Sequence, residues 1–155
     1  MNTENYYVRC EMVESDTVKL LRECDAGVKM GISSIEDVLD YVKSPQLSRL
    51  LSESKEEHGK IEGELTEILE SYGDEGKRPN PIAKGMSYMK TNMKLTFKES
   101  DETISDLMTD GCNMGVKSLN KYLNKYKAAD EKSKDICKRI IRVEDELCKN
   151  MRAYL

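Results

Sequence analysis

The sequence contains few of the residues that mark sheet, membrane and secreted proteins. It has no Trp, one Phe and three Pro, while charged residues make up 35% of the chain. This composition is typical of a helical protein with solvated outer faces. No run approaches the roughly 18 consecutive apolar residues of a membrane span, and the N-terminus lacks the basic and apolar regions of a signal peptide. The sequence therefore predicts an all-α cytoplasmic protein.

The five cysteines form no spacing motif, because they are widely separated and none stands in a C-x-x-C pair. Neither a disulfide framework nor a zinc cluster is indicated, and we expect most of them to be small buried hydrophobic residues. The net charge of −4 comes from both signs mixed along the chain. That distribution argues against nucleic acid as a partner and against binding to an anionic membrane.

What the sequence does contain is an internal repeat. The segment GVKMGISSIEDVLDYVK at 27–43 is matched by GCNMGVKSLNKYLNKYK at 111–127, and IEGEL at 61–65 is echoed by VEDEL at 143–147. Because two successive segments repeat, the sequence predicts a duplicated helical hairpin. A glycine inside a helix costs about 1 kcal/mol relative to alanine, so we expect the repeated glycines to mark close contacts between helices. These are Gly27, Gly31, Gly111 and Gly115.

Apolar residues recur at spacings of three and four in four segments, which predicts four amphipathic helices. Ser15 or Asp16 is the expected cap of the first helix. Ser44 and Pro45 separate the first two helices, because the residue before proline resists helical dihedrals and proline is tolerated at the first helical position. The resulting single domain, 1–155, comprises an arm at 1–14, helices at 15–43, 45–72, 101–127 and 130–154, and a crossover at 73–98.

The crossover contains its own amphipathic segment at 82–98. Lysines decorate most of this segment, while its apolar face includes Met86, Met89, Met93 and Phe97. Methionine adapts to varied surfaces, so this face is the predicted contact with a protein partner or a second copy of the chain. The alternatives are a linker helix that closes one end of the bundle and an element lying on a membrane surface, since lysine favours anionic lipid.

The helix lengths, the repeat, the crossover with its extra helix and the Asp-x-Gly element at 25–27 resemble the ferritin-like superfamily, and within it a branch of uncharacterised bacterial four-helix-bundle proteins. The resemblance implies two hairpins joined by a crossover. It also implies a di-iron centre with one Glu from each of two helices and a Glu-x-x-His from each of the other two. The chain lacks that set, because Lys55 precedes its single histidine, His58, by three residues and the second hairpin has no histidine.

A reduced metal site is the alternative. Asp25, His58 and Glu62 fall at nearby levels when they are counted from the turn at Ser44, and together they would hold one iron, manganese or zinc ion. Otherwise we expect His58 to hydrogen-bond an interior acid or a backbone carbonyl, and Asp25 to be a buried specificity residue. Four other acids at helical spacing are interpreted as a solvated face: Asp106, Asp110, Glu144 and Glu146.

Two functional hypotheses follow. The first is a non-catalytic binding or self-association module that needs no cofactor. The second is a metal-binding or oxidative-stress protein that uses the reduced site. Other enzyme classes are not indicated, since the sequence has no phosphate-cradling glycine motif and no hydrolase signature.

Overall fold

A computed structural model describes residues 3–77 and 100–155, and neither range contains a strand. The helices in these ranges are α1 (Thr3–Leu39), α2 (Pro45–Ser71), α3 (Asp101–Lys125) and α4 (Glu131–Met151), followed by a 3-10 turn at Arg152–Tyr154. Within the described ranges, no helix is long and apolar enough to cross a membrane. The prediction of an all-α four-helix bundle is confirmed.

Side-chain caps begin three of these helices. The Ser44 hydroxyl accepts a hydrogen bond from the N–H of Leu47 at 3.3 Å, and Pro45 occupies the first turn of α2. Ser100 caps α3 in the same way, and the Asp130 carboxylate caps α4 by accepting from the N–H of Ser133 at 2.7 Å. Because such caps satisfy N–H groups that have no partner inside the helix, they fix where each helix begins.

The first helix differs from the prediction at both ends. It begins at Thr3, so the expected arm is helical and neither Ser15 nor Asp16 caps it. No glycine or proline precedes Gly27, which explains why nothing interrupts the helix over this stretch. The Asp16 carboxylate instead accepts a hydrogen bond from the N–H of Ala128 at 3.1 Å, in the turn between α3 and α4. At its other end, α1 stops at Leu39 and a turn leads to Ser44.

Hydrogen bonds at the two ends of the bundle establish the helix directions. At one end, the N–H of Asp130 donates to the Thr17 hydroxyl at 2.9 Å, which places the start of α4 beside the first half of α1. At the other end, the Asp101 carboxylate at the start of α3 accepts from the N–H groups of Lys43 and Ser44, both at 2.8 Å. Therefore α3 runs antiparallel to α1, and α4 runs parallel to it.

Within residues 3–77 and 100–155, the core consists of two apolar clusters that lie toward opposite ends of the bundle. The first cluster includes Leu20, Leu21, Cys24, Val28, Ile61, Leu65, Leu69, Leu119, Ile136, Cys137 and Ile140. The second includes Ile35, Val38, Leu47, Leu51, Ile104, Met108, Cys112, Leu147, Cys148 and Met151. Each helix also contributes one residue to a level that lies between the two clusters, where the buried polar side chains are His58 and Glu144. The four residues of this level are Gly31, His58, Gly115 and Glu144. We call these four residues the central layer.

Cysteine behaves as the sequence predicts in the described part of the chain. Cys24, Cys112, Cys137 and Cys148 are all buried and carry free thiols. Each belongs to one of the two apolar clusters. Their main contribution is therefore to packing.

Candidate functional site

A histidine and a carboxylate meet in the central layer. His58 of α2 is completely buried, and Glu144 of α4 is 8% exposed. The imidazole Nε2 lies 3.0 Å from Oε1 of Glu144, and Nδ1 lies 2.8 Å from the carbonyl oxygen of Ser54, one turn earlier in α2. Further along the same two antiparallel helices, Arg139 and Glu64 form an ion pair at 2.7 Å. The packing of α2 against α4 thus brings His58 and Glu144 together.

The contacts of His58 require a hydrogen atom between its ring and the carboxyl group of Glu144. A carbonyl oxygen can only accept, so Nδ1 carries a hydrogen and donates it to Ser54. Nε2 faces a carboxyl oxygen, and two acceptors at 3.0 Å would repel each other. A hydrogen therefore lies between Nε2 and Oε1, and an imidazolium beside a carboxylate satisfies both groups.

The pKa of His58 agrees with that arrangement. Burial lowers the pKa of the imidazole, but the hydrogen bond from Glu144, the charge of Glu144 and the Ser54 carbonyl together raise it above its ordinary value. The net shift is upward, so folding stabilises the imidazolium form relative to the neutral ring. The central layer therefore holds a buried, hydrogen-bonded pair of a histidine and a carboxyl group.

Two glycines related by the sequence repeat border this pair. A Cβ at Gly31 would lie 2.8 Å from Nε2 of His58, which is closer than real contacts allow, so α1 can approach the ring only with glycine here. The expectation that repeated glycines mark close contacts is confirmed at this position. A Cβ at Gly115 would lie 3.6 Å from the carboxyl carbon of Glu144, and one at Gly27 would lie 3.8 Å from Cδ2 of Leu119, both ordinary contact distances.

Cys112 of α3 also lies close to Glu144. Burial, and then the charge and hydrogen bonding of Glu144, raise the pKa of the Cys112 thiol far above its ordinary value. Because the thiolate is the nucleophilic and metal-binding form, this sulfur is held in its unreactive form. The carboxylate of Glu144 thus stabilises the positive charge on His58 and suppresses ionisation of Cys112.

Asp25 lies in a different part of the bundle, where residues 73–77 fold back on α1. Its Oδ2 accepts a hydrogen bond from Nζ of Lys29 at 2.7 Å and another from the backbone N–H of Lys77 at 3.0 Å. Gly76 has a φ of 78°, and a Cβ there would lie 2.5 Å from this oxygen. The turn therefore needs glycine both for its backbone conformation and for the approach to Asp25.

Two ion pairs hold the same segment on α1. Nε of Arg22 lies 3.0 Å from Oδ1 of Asp74, and Nζ of Lys77 lies 2.8 Å from Oε1 of Glu23. The hydrogen bond from Arg22 lowers the pKa of Asp74 below its ordinary value. Asp25, which is 1% exposed, lies beneath this contact and anchors residues 73–77 on the helix.

The three residues of the predicted metal site are not brought into one group. His58 contacts Glu144, Asp25 contacts Lys29 and Lys77, and Glu62 lies partly exposed on α2. Across residues 3–77 and 100–155, no group of three or more His, Cys, Asp or Glu side chains is arranged to hold a metal ion. The other expectation for His58, a hydrogen bond to an interior acid or a backbone carbonyl, is confirmed for both kinds of partner.

Glu144 is the site residue that sequence reasoning missed. Its interpretation as part of a solvated face is wrong, whereas Asp106, Asp110 and Glu146 are exposed as expected. Two signals in the sequence point to Glu144. It follows Ile140 by four residues and precedes Leu147 by three, which places it on the buried stripe of α4, and it corresponds to the second residue of IEGEL in the repeat.

The predicted contact surface lies outside the described residues. This applies to the helix expected at 82–98 and to its face of Met86, Met89, Met93 and Phe97. Comparisons with protein-family models, with curated proteins and with solved structures found no match for the chain. The functional argument therefore rests on the residues and geometry described above.

Proposed function

We propose that this protein is a cytoplasmic, ferritin-like four-helix bundle that acts by binding a partner or a second copy of itself, and that its central layer is structural. The helix directions support the architecture, since α1 and α4 run one way while α2 and α3 run the other. Lys77 follows the C-terminal end of α2, whereas Ser100 adjoins the turn at Lys43 that precedes α2, so these two residues lie toward opposite ends of the bundle. A bundle made from two hairpins and one long crossover has this arrangement.

The observation that carries the non-catalytic role is the contact between His58 and Glu144. Both ring nitrogens of His58 already have partners, and the ring has 0% exposure. A catalytic acid or base must come within hydrogen-bonding distance of a reactant, and these groups are instead directed at each other. A buried, hydrogen-bonded ion pair of this kind can specify how helices align.

Elemental analysis of protein purified without chelator or immobilised metal tests the structural role. We expect iron, manganese and zinc well below one equivalent per chain. One equivalent that disappears in His58→Gln would instead support the metal-binding or oxidative-stress hypothesis. Glu62→Gln is the matched variant, because it leaves the contact between His58 and Glu144 intact and removes only the third residue of the predicted site.

Analytical ultracentrifugation tests self-association. The wild-type chain should associate as its concentration increases, and a variant with Met86, Met89 and Met93 changed to serine should associate more weakly, since serine removes the apolar face. A variant with three exposed lysines of other helices changed to serine controls for the number of substitutions: Lys121, Lys132 and Lys138. Equal association of the two variants would argue against the methionine face as the contact surface.

A further inference from the structure

Two contacts mark the ends of the row along which α1 and α3 lie side by side. At one end, burial and then the charge and hydrogen bonding of Glu23 raise the pKa of Tyr122, so these two side chains are neighbours. At the other end, the carboxylate of Asp101 accepts a hydrogen bond from the N–H of Lys43 at 2.8 Å. The row between these contacts runs along most of both helices.

Small and apolar residues make up this row. Spacings of three and four, which keep residues on one side of a helix, continue from Glu23 along α1 and from Tyr122 back along α3. None of the residues at these spacings is fully buried, and Met114 is 63% exposed. Because glycine and serine are small, the row forms a shallow groove that is open to the outside of the bundle. We call it the α1–α3 groove, and its residues are Gly27, Met30, Ser34, Leu107, Gly111, Met114 and Ser118.

The chain outside the described residues leaves and returns at the two ends of this groove. Lys77 is the last described residue before it, and its Nζ lies 2.8 Å from Oε1 of Glu23. Ser100 is the first described residue after it and caps α3 beside Lys43. These two ends are roughly 30 Å apart when they are counted along α1, and a helix of the length predicted at 82–98 is about 25 Å long. The intervening chain is therefore long enough to follow the groove.

The charges of the intervening chain and of the groove are complementary near Ser100. Residues 78–99 contain five basic residues and one acidic residue, and the second half of this stretch contains Lys90, Lys94 and Lys98. Three exposed acids border the groove at the same end: Asp40 of α1 and Asp106 and Asp110 of α3. Surface ion pairs contribute little free energy, so these charges favour one orientation, and burial of apolar side chains supplies most of the stabilisation.

We propose that the α1–α3 groove binds the apolar face of residues 82–98 of the same chain. Met86, Met89 and Met93 then contact the groove, where flexible methionine side chains can fill the uneven surface left by small residues. The covalent connection at both ends favours this occupant over a second copy, because it gives the segment a high effective concentration. The proposal does not rest on self-association. Since self-association is proposed to use the same face, the groove and a second copy compete for it.

Oxidation of methionine by hydrogen peroxide, followed by peptide mass spectrometry, tests the proposal in the full chain. The exposed Met114 is the fast reference, and the buried Met108 and Met151 are the slow references. In dilute native protein, we expect the three methionines of the segment to be oxidised several-fold more slowly than Met114, at rates independent of protein concentration. Rates equal to that of Met114 overturn the proposal. Protection that appears only as protein concentration rises also overturns it, and assigns the face to a second copy.

A substitution in the groove provides the matched comparison. Met30 lies in the groove but in neither core cluster, so Met30→Lys places a charge beneath the segment without removing a core residue. It should increase the oxidation rates of the three methionines several-fold, while the two buried references stay slow because the bundle remains folded. Ser52→Lys adds the same charge to an exposed position of α2 and should leave all the rates unchanged. The proposal is also overturned if the segment is as well protected in Met30→Lys as in the wild type.

Discussion

Substitution of the two central glycines by alanine should have opposite effects on stability. Gly31 and Gly115 are equivalent in the sequence repeat, and both lie inside helices beside the buried ion pair. A Cβ at Gly31 would lie 2.8 Å from Nε2 and 2.9 Å from Cδ2 of His58. Among the described residues outside its own helix, the nearest atom to a Cβ at Gly115 would be the carboxyl carbon of Glu144, at 3.6 Å.

The expected magnitudes follow from these distances. Alanine in place of a helical glycine contributes about 1 kcal/mol of stability when the methyl group fits, so Gly115→Ala should be stabilised by up to that amount. At Gly31 the methyl group must displace the His58 ring, which two hydrogen bonds hold in place. Breaking a buried ion pair costs about 3 to 5 kcal/mol, so the net loss should be about 2 to 4 kcal/mol. For a chain of this length, that loss lowers Tm by roughly 4 to 16 °C.

Urea unfolding followed by circular dichroism measures both effects, and a double-mutant cycle with His58→Ala identifies their cause. Once the imidazole is absent, Gly31→Ala should lose its penalty, so the two substitutions should couple strongly. The reasoning is refuted if Gly31→Ala is as stable as the wild type. It also fails if the penalty persists in the His58→Ala background, because the methyl group would then be colliding with something other than the ring.

Three further predictions concern pH, the turn at Gly76 and thiol reactivity. Because the folded-state pKa of His58 is raised, its stabilising contribution is present below the unfolded value of about 6.5 and is lost as pH rises through the folded value. The difference in unfolding free energy between the wild type and His58→Gln should therefore shrink as the pH rises above about 6.5, and a constant difference would contradict the assignment. Gly76→Ala should destabilise the protein by about 1 to 2 kcal/mol or more, because Gly76 has a positive φ and lies against Asp25. Gly63→Ala is the control and should not destabilise the protein, because a Cβ at Gly63 would meet no described atom within 4 Å. Cys112 should react slowly with iodoacetamide in native protein and rapidly in urea, and rapid native labelling found by peptide mass spectrometry would show that the thiol is accessible.

The sequence predicted helix starts well where the signal is local. Pro45 and Asp101 begin their helices as expected, because proline geometry and a preceding serine cap act within one turn of the chain. The predicted start of α1 was wrong because it rested only on the presence of local capping residues. Ser15 and Asp16 are good capping residues, but a cap forms only where a helix begins, and no helix-breaking residue precedes them. The Asp16 side chain bonds to the α3–α4 turn instead, a partner that sequence proximity cannot reveal.

The candidate site could be predicted only in part. The inward direction of His58 follows from the apolar period of α2, and its burial agrees with that inference. Its partner does not follow, because the choice between Glu62 on the same helix and Glu144 on another depends on the register of α2 against α4. The burial of Asp25 also depends on residues that are distant from it in the sequence. A charge on the inner stripe is accommodated there because residues 73–77, far along the chain, cover it with a backbone donor.

The matching segments IEGEL and VEDEL show which residues could have formed a second pair like that of His58 and Glu144. Aligning IEGEL with VEDEL makes Glu62 the counterpart of Glu144 and makes Ile140 the counterpart of His58. Antiparallel packing of α2 and α4 places His58 opposite Glu144, and the same symmetry places Ile140 opposite Glu62. An isoleucine offers a carboxylate no hydrogen bond, so Ile140 joins the apolar core while Glu62 remains partly exposed. His58 of α2 therefore pairs with Glu144 of α4, whereas Ile140 and Glu62 cannot form an equivalent pair.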